Sequence, residues 1–103
     1  KSNAFVVTPI VTVDNALSAK NTVIEVTGLD RPGLLYELTT RIGKLNLNIA
    51  SARITTYGEK AVDVFYVTDL TGSKIDQPAR KEAITRQILG VLEPPAIEIA
   101  TKA

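Results

Sequence analysis

At 103 residues the chain amounts to one domain, and with 45% apolar residues it can bury a core of its own. A net charge of +1 lacks the basic excess of a nucleic-acid binder, and no apolar run approaches the roughly 20 residues that span a bilayer, so neither nucleic acid nor membrane is an expected partner. The absence of Cys and His removes disulfides, thiolate sites and the commonest general base and metal ligand, and fits a reducing, cytoplasmic setting.

Residues 1–4 contain Ser2-Asn3-Ala4, which reads as a remnant of tag cleavage; with no initiating Met, the chain reads as a piece of a longer protein. Phe5 to Val13 alternates apolar and Thr residues, interrupted by Pro9, which points to an extra N-terminal edge strand. Asn15 to Asn21 reads as a loop, so 5–20 form a strand and linker and 21–103 the main domain. Thr22 to Thr27 is rich in β-branched residues and reads as a strand, with Ile24 and Val26 on one face.

Leu34, Leu35, Leu38, Ile42 and Leu45 recur at helical spacing, which predicts a helix from about Arg31 to Leu45. Asp30 falls at the N-cap, Pro32 in the first turn, and Leu29 and Leu34 at the two positions of a hydrophobic staple. Gly33 leaves the backbone bare where the helix opens. Free N–H groups and the positive end of the helix dipole make such a mouth a receptor for a small carboxylate. The same features also serve a plain strand-to-helix connection, and spacing alone does not separate the two.

Leu47 to Thr56 reads as a strand whose apolar phase shifts by one residue, implying a bulge near Ala50-Ser51. Tyr57-Gly58-Glu59-Lys60 is a hairpin turn, with Gly58 supplying positive φ. Ala61 to Asp69 follows as a strand with Phe65 and Val67 on one face and Val62, Val64 and Tyr66 on the other. Both faces are apolar, so both are expected to be covered, the second by a partner subunit, a neighbouring domain or the extra strand. Glu59, Asp63 and Asp69 lie on or beside this hairpin and read as solvated. After a loop around Gly72, Asp76 is placed as the cap of a second helix with Pro78 in its first turn. Ile84, Ile88, Val91 and Leu92 form its buried stripe, and Arg80, Lys81, Glu82 and Arg86 its solvated face. Pro94-Pro95 ends it, and Ala96 to Thr101 reads as a last strand.

The fold class is therefore α+β: a ferredoxin-like βαββαβ sandwich, an antiparallel sheet with two helices on one face, plus the N-terminal edge strand. Within the repeat of four core strands the expected spatial order is fourth, first, third, second. No Ser–His pair, zinc spacing or phosphate-cradling Gly-rich loop is present. RNA-recognition modules of this fold need several exposed aromatics on the central strands, and only Tyr66 is placed to serve.

The stretch Thr22 to Leu35, ending in Asp-Arg-Pro-Gly-Leu-Leu, resembles an ACT domain, the small-molecule-sensing module of amino-acid metabolism. Leu47 to Ile54 resembles it too. The run Thr56 to Asp69 is similar to the last of the tandem ACT domains of bifunctional PII uridylyltransferase/uridylyl-removing enzymes. The resemblance spans about Val11 to Leu92. It implies a regulatory, glutamine-responsive module without catalysis of its own, set beside upstream domains that uridylylate and deuridylylate the PII nitrogen-signalling protein. It implies no cofactor for this fragment, and Mg or Mn for the parent's catalytic domains. It further implies an amino-acid site where the loop of one ACT copy meets the second core strand of another, in a homodimer or an intramolecular pair. By position, the loop residues are Asp30, Arg31, Pro32, Gly33, Leu34 and Leu35, and the strand residues Asn48, Ile49 and Ala50. In that site Asp30 either meets the ligand ammonium or only caps, Arg31 either clamps a carboxylate or is solvated, and Asn48 can match a side-chain amide. The other reading is a docking module that pairs domains and binds no metabolite.

Overall fold

The computed structural model describes residues 7–93. Its elements are β1 (Ile10–Asp14), β2 (Thr22–Leu29), α1 (Leu34–Lys44), β3 (Leu47–Tyr57), β4 (Lys60–Asp69) and α2 (Pro78–Leu92). The strands form one antiparallel sheet in the order β1-β2-β4-β3. Alternation along each strand sends one set of side chains towards the helices. Ile24 and Val26 of β2 and Phe65 and Val67 of β4 meet Leu38 and Ile42 of α1 and Ile84 and Ile88 of α2 in one core. Each of these side chains is essentially buried, and full burial of one such residue contributes about 1.5–3 kcal/mol.

The α+β, two-helices-on-one-face architecture stands as expected, with one change of neighbour. The place beside β2 expected for the C-terminal strand is filled by β1. A short hairpin connection closes a much smaller loop than a crossover through α2, so local pairing has less entropy to overcome. Val11 drops into the core, and Pro9 bounds the strand from outside where its missing N–H breaks no ladder bond. The strand expected over Ala96 to Thr101 lies outside the described residues.

The β3–β4 hairpin follows its expected course. Its register shifts between Ile49 and Ser51, and the turn is made by Gly58, at φ 60°, with Glu59. The far end of the sheet is tied by a buried polar knot. Thr22 Oγ1 donates to Asn15 Oδ1 (2.6 Å) and accepts from the Ile75 amide (2.9 Å), while Asn15 Nδ2 donates to the Ile75 carbonyl (2.7 Å). Thr22 is fully buried, and these bonds satisfy it.

Arg41 joins the middle of the helix layer, donating to the Gln87 carbonyl (2.9 Å), and two further arginines brace its ends, with neither of these end roles visible in the local sequence. Arg80, expected on the solvated face of α2, donates to the carbonyls of Leu45 and Asn46 (3.3 Å each), just past the end of α1. Those carbonyls are left without helical partners and carry the negative end of the dipole. At the opposite end, Arg31 donates to the carbonyl of Val91 (3.1 Å) in the last turn of α2. Arg80→Ala is expected to cost about 0.5–1.5 kcal/mol, read by urea denaturation. Unchanged stability would mean that water replaces the brace without loss.

Candidate functional site

The chain leaves β2 extended: the amide of Asp30 donates to the carbonyl of Glu59 (2.8 Å). This bond holds Asp30 back from the helix, which starts three residues later than the sequence pattern implies. Arg31-Pro32-Gly33-Leu34 is instead a tight turn closed by the Leu34 amide on the Arg31 carbonyl (3.2 Å). Gly33 sits at φ 82°, ψ −3°, the second central position of a type II turn, with Pro32 at the first. Gly33 is thus the N-cap residue of α1, with no side-chain cap, so Asp30 is not the cap, and Leu34, now the first helical residue, does not form the expected staple with Leu29. Likewise α2 is preceded by Gln77 rather than Asp76 as its N-cap, again without a side-chain bond, and Pro78 is its first residue.

The mouth of α1 is consequently open. The amide of Glu37 bonds the Gly33 carbonyl (3.0 Å), but those of Leu35 and Tyr36 have no partner among the described residues. A Cβ added at Gly33 would meet nothing within 4 Å. Leu34 points its side chain into the core and offers only backbone; Leu35 and Pro32 are exposed at the rim.

Arg31 is engaged within the chain. Its guanidinium grips the Glu37 carboxylate with two bonds of 3.1 and 3.0 Å and reaches Val91 as described. The bonded Arg31 guanidinium, together with the charges of Arg31 and Arg41, holds the Glu37 carboxyl below the usual carboxylate range.

Asn48, Ile49 and Ala50 lie exposed on β3, but at its other end. The turn into α1 leaves the sheet at Asp30, bonded to Glu59 just beyond the row Gly28–Ala61–Thr56, whereas Ile49 shares a row with Val67 and Thr22. The six residue steps from Ala61 to Val67 make about 20 Å at the rise of a strand. One chain therefore does not bring the two predicted halves of the site together. β3 is an edge strand of 11 residues, with only Leu47 buried. Ile49 and Ile54 stand exposed on its helix-facing side, and Leu35 is exposed on α1. On the opposite sheet face Val62, Val64 and Tyr66 are half-buried rather than covered. Two clefts occur elsewhere, one of ≈ 470 Å³ beside Ile10, Thr27, Tyr57 and Lys60, the other of ≈ 280 Å³ between Asp69, Lys74 and Arg80.

The sequence reading missed Asp63. Instead of being solvated it is 3% exposed, and its Oδ1 has no hydrogen-bond partner. Burial pushes its carboxyl up, opposed by the Thr55 backbone amide and reinforced by the charge of Asp30. Strand alternation held the signal, because Ala61, Asp63, Phe65 and Val67 share one side of β4. Among the described residues no cluster of His, Asp or Glu is arranged to hold a metal, and no helix is long and apolar enough to cross a membrane.

Among the described residues, a four-stranded antiparallel sheet with two helices on one face and a glycine turn into the first helix match the α+β fold of an ACT-like domain. The family model described as "ACR9-like, ACT-like domain" matches residues 10–103, and the chain belongs to this family. Its relatives narrow the class. It is 60% identical over 92 residues to the bifunctional uridylyltransferase/uridylyl-removing enzyme of Bradyrhizobium diazoefficiens, and 61% identical over 92 residues to that of Rhodopseudomonas palustris. The enzyme of that name from Bradyrhizobium sp. strain ORS 278 is 62% identical over 89 residues. These matches cover 86–89% of the chain but 10% of each relative, so the chain spans about a tenth of the length of the curated relatives it matches. An ACT-like domain matching this part of such enzymes supports a regulatory role.

Proposed function

We propose that the chain is a glutamine-responsive sensor that works in pairs, and that its ligand state sets the balance of uridylylation and deuridylylation of the PII protein by catalytic domains elsewhere in the parent enzyme. The chain itself carries no chemistry. The observation that carries this reading is the β3 edge, which has no outer strand among the described residues. Antiparallel pairing of two β3 edges about a twofold axis near Ala52 sets residue 48 of one copy beside residue 56 of the other, and 50 beside 54. The 20 Å gap between the two half-sites is then closed across the pair. Asn48, Ile49 and Ala50 of one copy meet the turn of Asp30 to Leu35 of the other. The partner copy is a second molecule or the neighbouring ACT domain of one parent.

In this arrangement the ligand carboxylate rests on the free amides of Leu35 and Tyr36. Asn48, with both donor and acceptor groups, reads the side-chain amide of glutamine. Because the ligand touches both copies, it favours the paired state and shifts the equilibrium towards it. Titration calorimetry with L-glutamine on the chain and on the tandem ACT pair tests the reading: binding accompanied by pairing supports it. Silence from both forms would leave the docking module, which the same bare edge also suits.

Ala52→Asp places two carboxylates on the twofold axis. Like charges directly opposed across strands are unfavourable by up to about 1 kcal/mol, so pairing should weaken about fivefold, with glutamine affinity falling alongside. Analytical ultracentrifugation with and without glutamine reads both. Undiminished pairing would place the contact on another surface.

A further inference from the structure

The sheet face turned away from the helices carries three apolar side chains in one line. Val62, Val64 and Tyr66 follow one another along β4, each half-buried, on a strand with neighbours on both sides. Among the described residues both helices pack on the other face, against Phe65 and Val67. Such a line on an interior strand calls for a cover. Val64 at its centre is flanked by opposite charges: its partner in register is Glu25 on β2 and Arg53 on β3. At the spacing of neighbouring strands these two residues stand about 10 Å apart. Glu25 accepts a bond from Thr12 Oγ1 (3.1 Å), and Arg53 has no ion-pair partner among the described residues.

The row Glu25–Val64–Arg53 is complementary to itself. Two copies stacked sheet to sheet about a twofold axis along β4 set Glu25 of each over Arg53 of the other and Val64 over Val64. A twofold axis across the strands would instead oppose Glu25 to Glu25 and Arg53 to Arg53, so the charges select one orientation. Aligned sheets pack about 10 Å apart with their strands within about 30° of each other, which suits this axis. The face is four strands wide and eight residues long on β2. A pair therefore covers about 1,000 Å², at the lower bound for a specific interface. We propose that a second copy of this domain covers this face, with Glu25 and Arg53 as the charges that set its orientation. The contact is separate from the pairing of β3 edges and independent of glutamine. It uses side chains of the open face rather than the β3 backbone, so both contacts fit in one assembly.

The test is a pair of charge reversals, Arg53→Glu and Glu25→Arg, each followed alone and mixed by sedimentation equilibrium without glutamine. Both side chains are exposed, so the fold should hold, which circular dichroism checks. Each variant alone should associate about 10-fold more weakly than the wild type, because both charge contacts turn from attraction to repulsion. An equimolar mixture should regain wild-type association as a heterodimer, since each reversed charge then faces its opposite. Pairing of β3 edges gains nothing from the mixture, because Glu25 lies two strands in from that edge. A mixture that associates no better than its components overturns the inference and gives the face to another domain of the parent enzyme or to the chain outside residues 7–93. Variants that alone associate as tightly as the wild type overturn it as well. Neither result touches the glutamine reading, which rests on the calorimetry above.

Discussion

Asp63→Asn is expected to stabilise the free protein by about 1 kcal/mol on the alkaline side of the folded carboxyl's pKa, because a neutral amide costs less to bury than a carboxylate although it too keeps a polar atom unpartnered. The carboxyl is 3% exposed, and burial, the largest influence on it, favours the protonated form. The folded chain thus holds this proton to a higher pH than the unfolded chain does. Between the two pKa values the folded state carries more protons, so stability falls as pH rises through that window. Above the folded pKa the whole penalty is present. Asparagine has nearly the same shape and no charge, so the variant should lack this downward slope and gain most on the alkaline side. Urea denaturation across a series of pH values measures both effects. A variant less stable than the wild type on that side would show that the Thr55 amide outweighs burial and that the carboxylate is at home where it lies.

Gly33→Asp should abolish amino-acid binding with little harm to the fold. A residue with a Cβ held at φ 82° is strained by about 1–2 kcal/mol, though Asp tolerates this region better than most. No atom stands within 4 Å of the new Cβ, so no clash is added. Asp is also a strong N-cap, and its carboxylate can accept from the amides of Leu35 and Tyr36, offsetting part of the strain. That bond is what removes binding: the amides meant for the ligand are taken, and the mouth turns negative. Gly33→Ala separates the effects, with similar strain but no charge, and should keep measurable affinity. Glutamine affinity unchanged in Gly33→Asp would move the site away from α1.

Pattern along the chain decided most of the fold. The phase shift from Ile49 to Ala52 revealed the bulge, and Gly58 marked the hairpin, because both effects act within a few residues. The start of α1 differs from the pattern because local chemistry left two choices open. Pro32-Gly33 suits a helical first turn and a type II turn alike, and the bond from Asp30 to Glu59, 29 residues away, chose the turn. Asp63 was legible from alternation alone but was set aside because carboxylates near hairpins are usually wet. The arginine braces, with partners up to 60 residues distant, left no trace in the sequence. The residues named for the site divide in the same way. The glycine turn before α1 is legible in Pro32-Gly33, whereas its separation from Asn48 depends on the register of the strands.

The arginine braces carry a mechanical consequence. Each ties one end of a helix to the far end of its antiparallel neighbour, so the two cylinders behave as a single stiff plate lying on the sheet. A push at the corner near Gly33 is not absorbed by fraying of α1 alone; through Arg31 it tilts α2 as well. A small displacement at that corner is therefore expected to be carried into α2 rather than confined to α1.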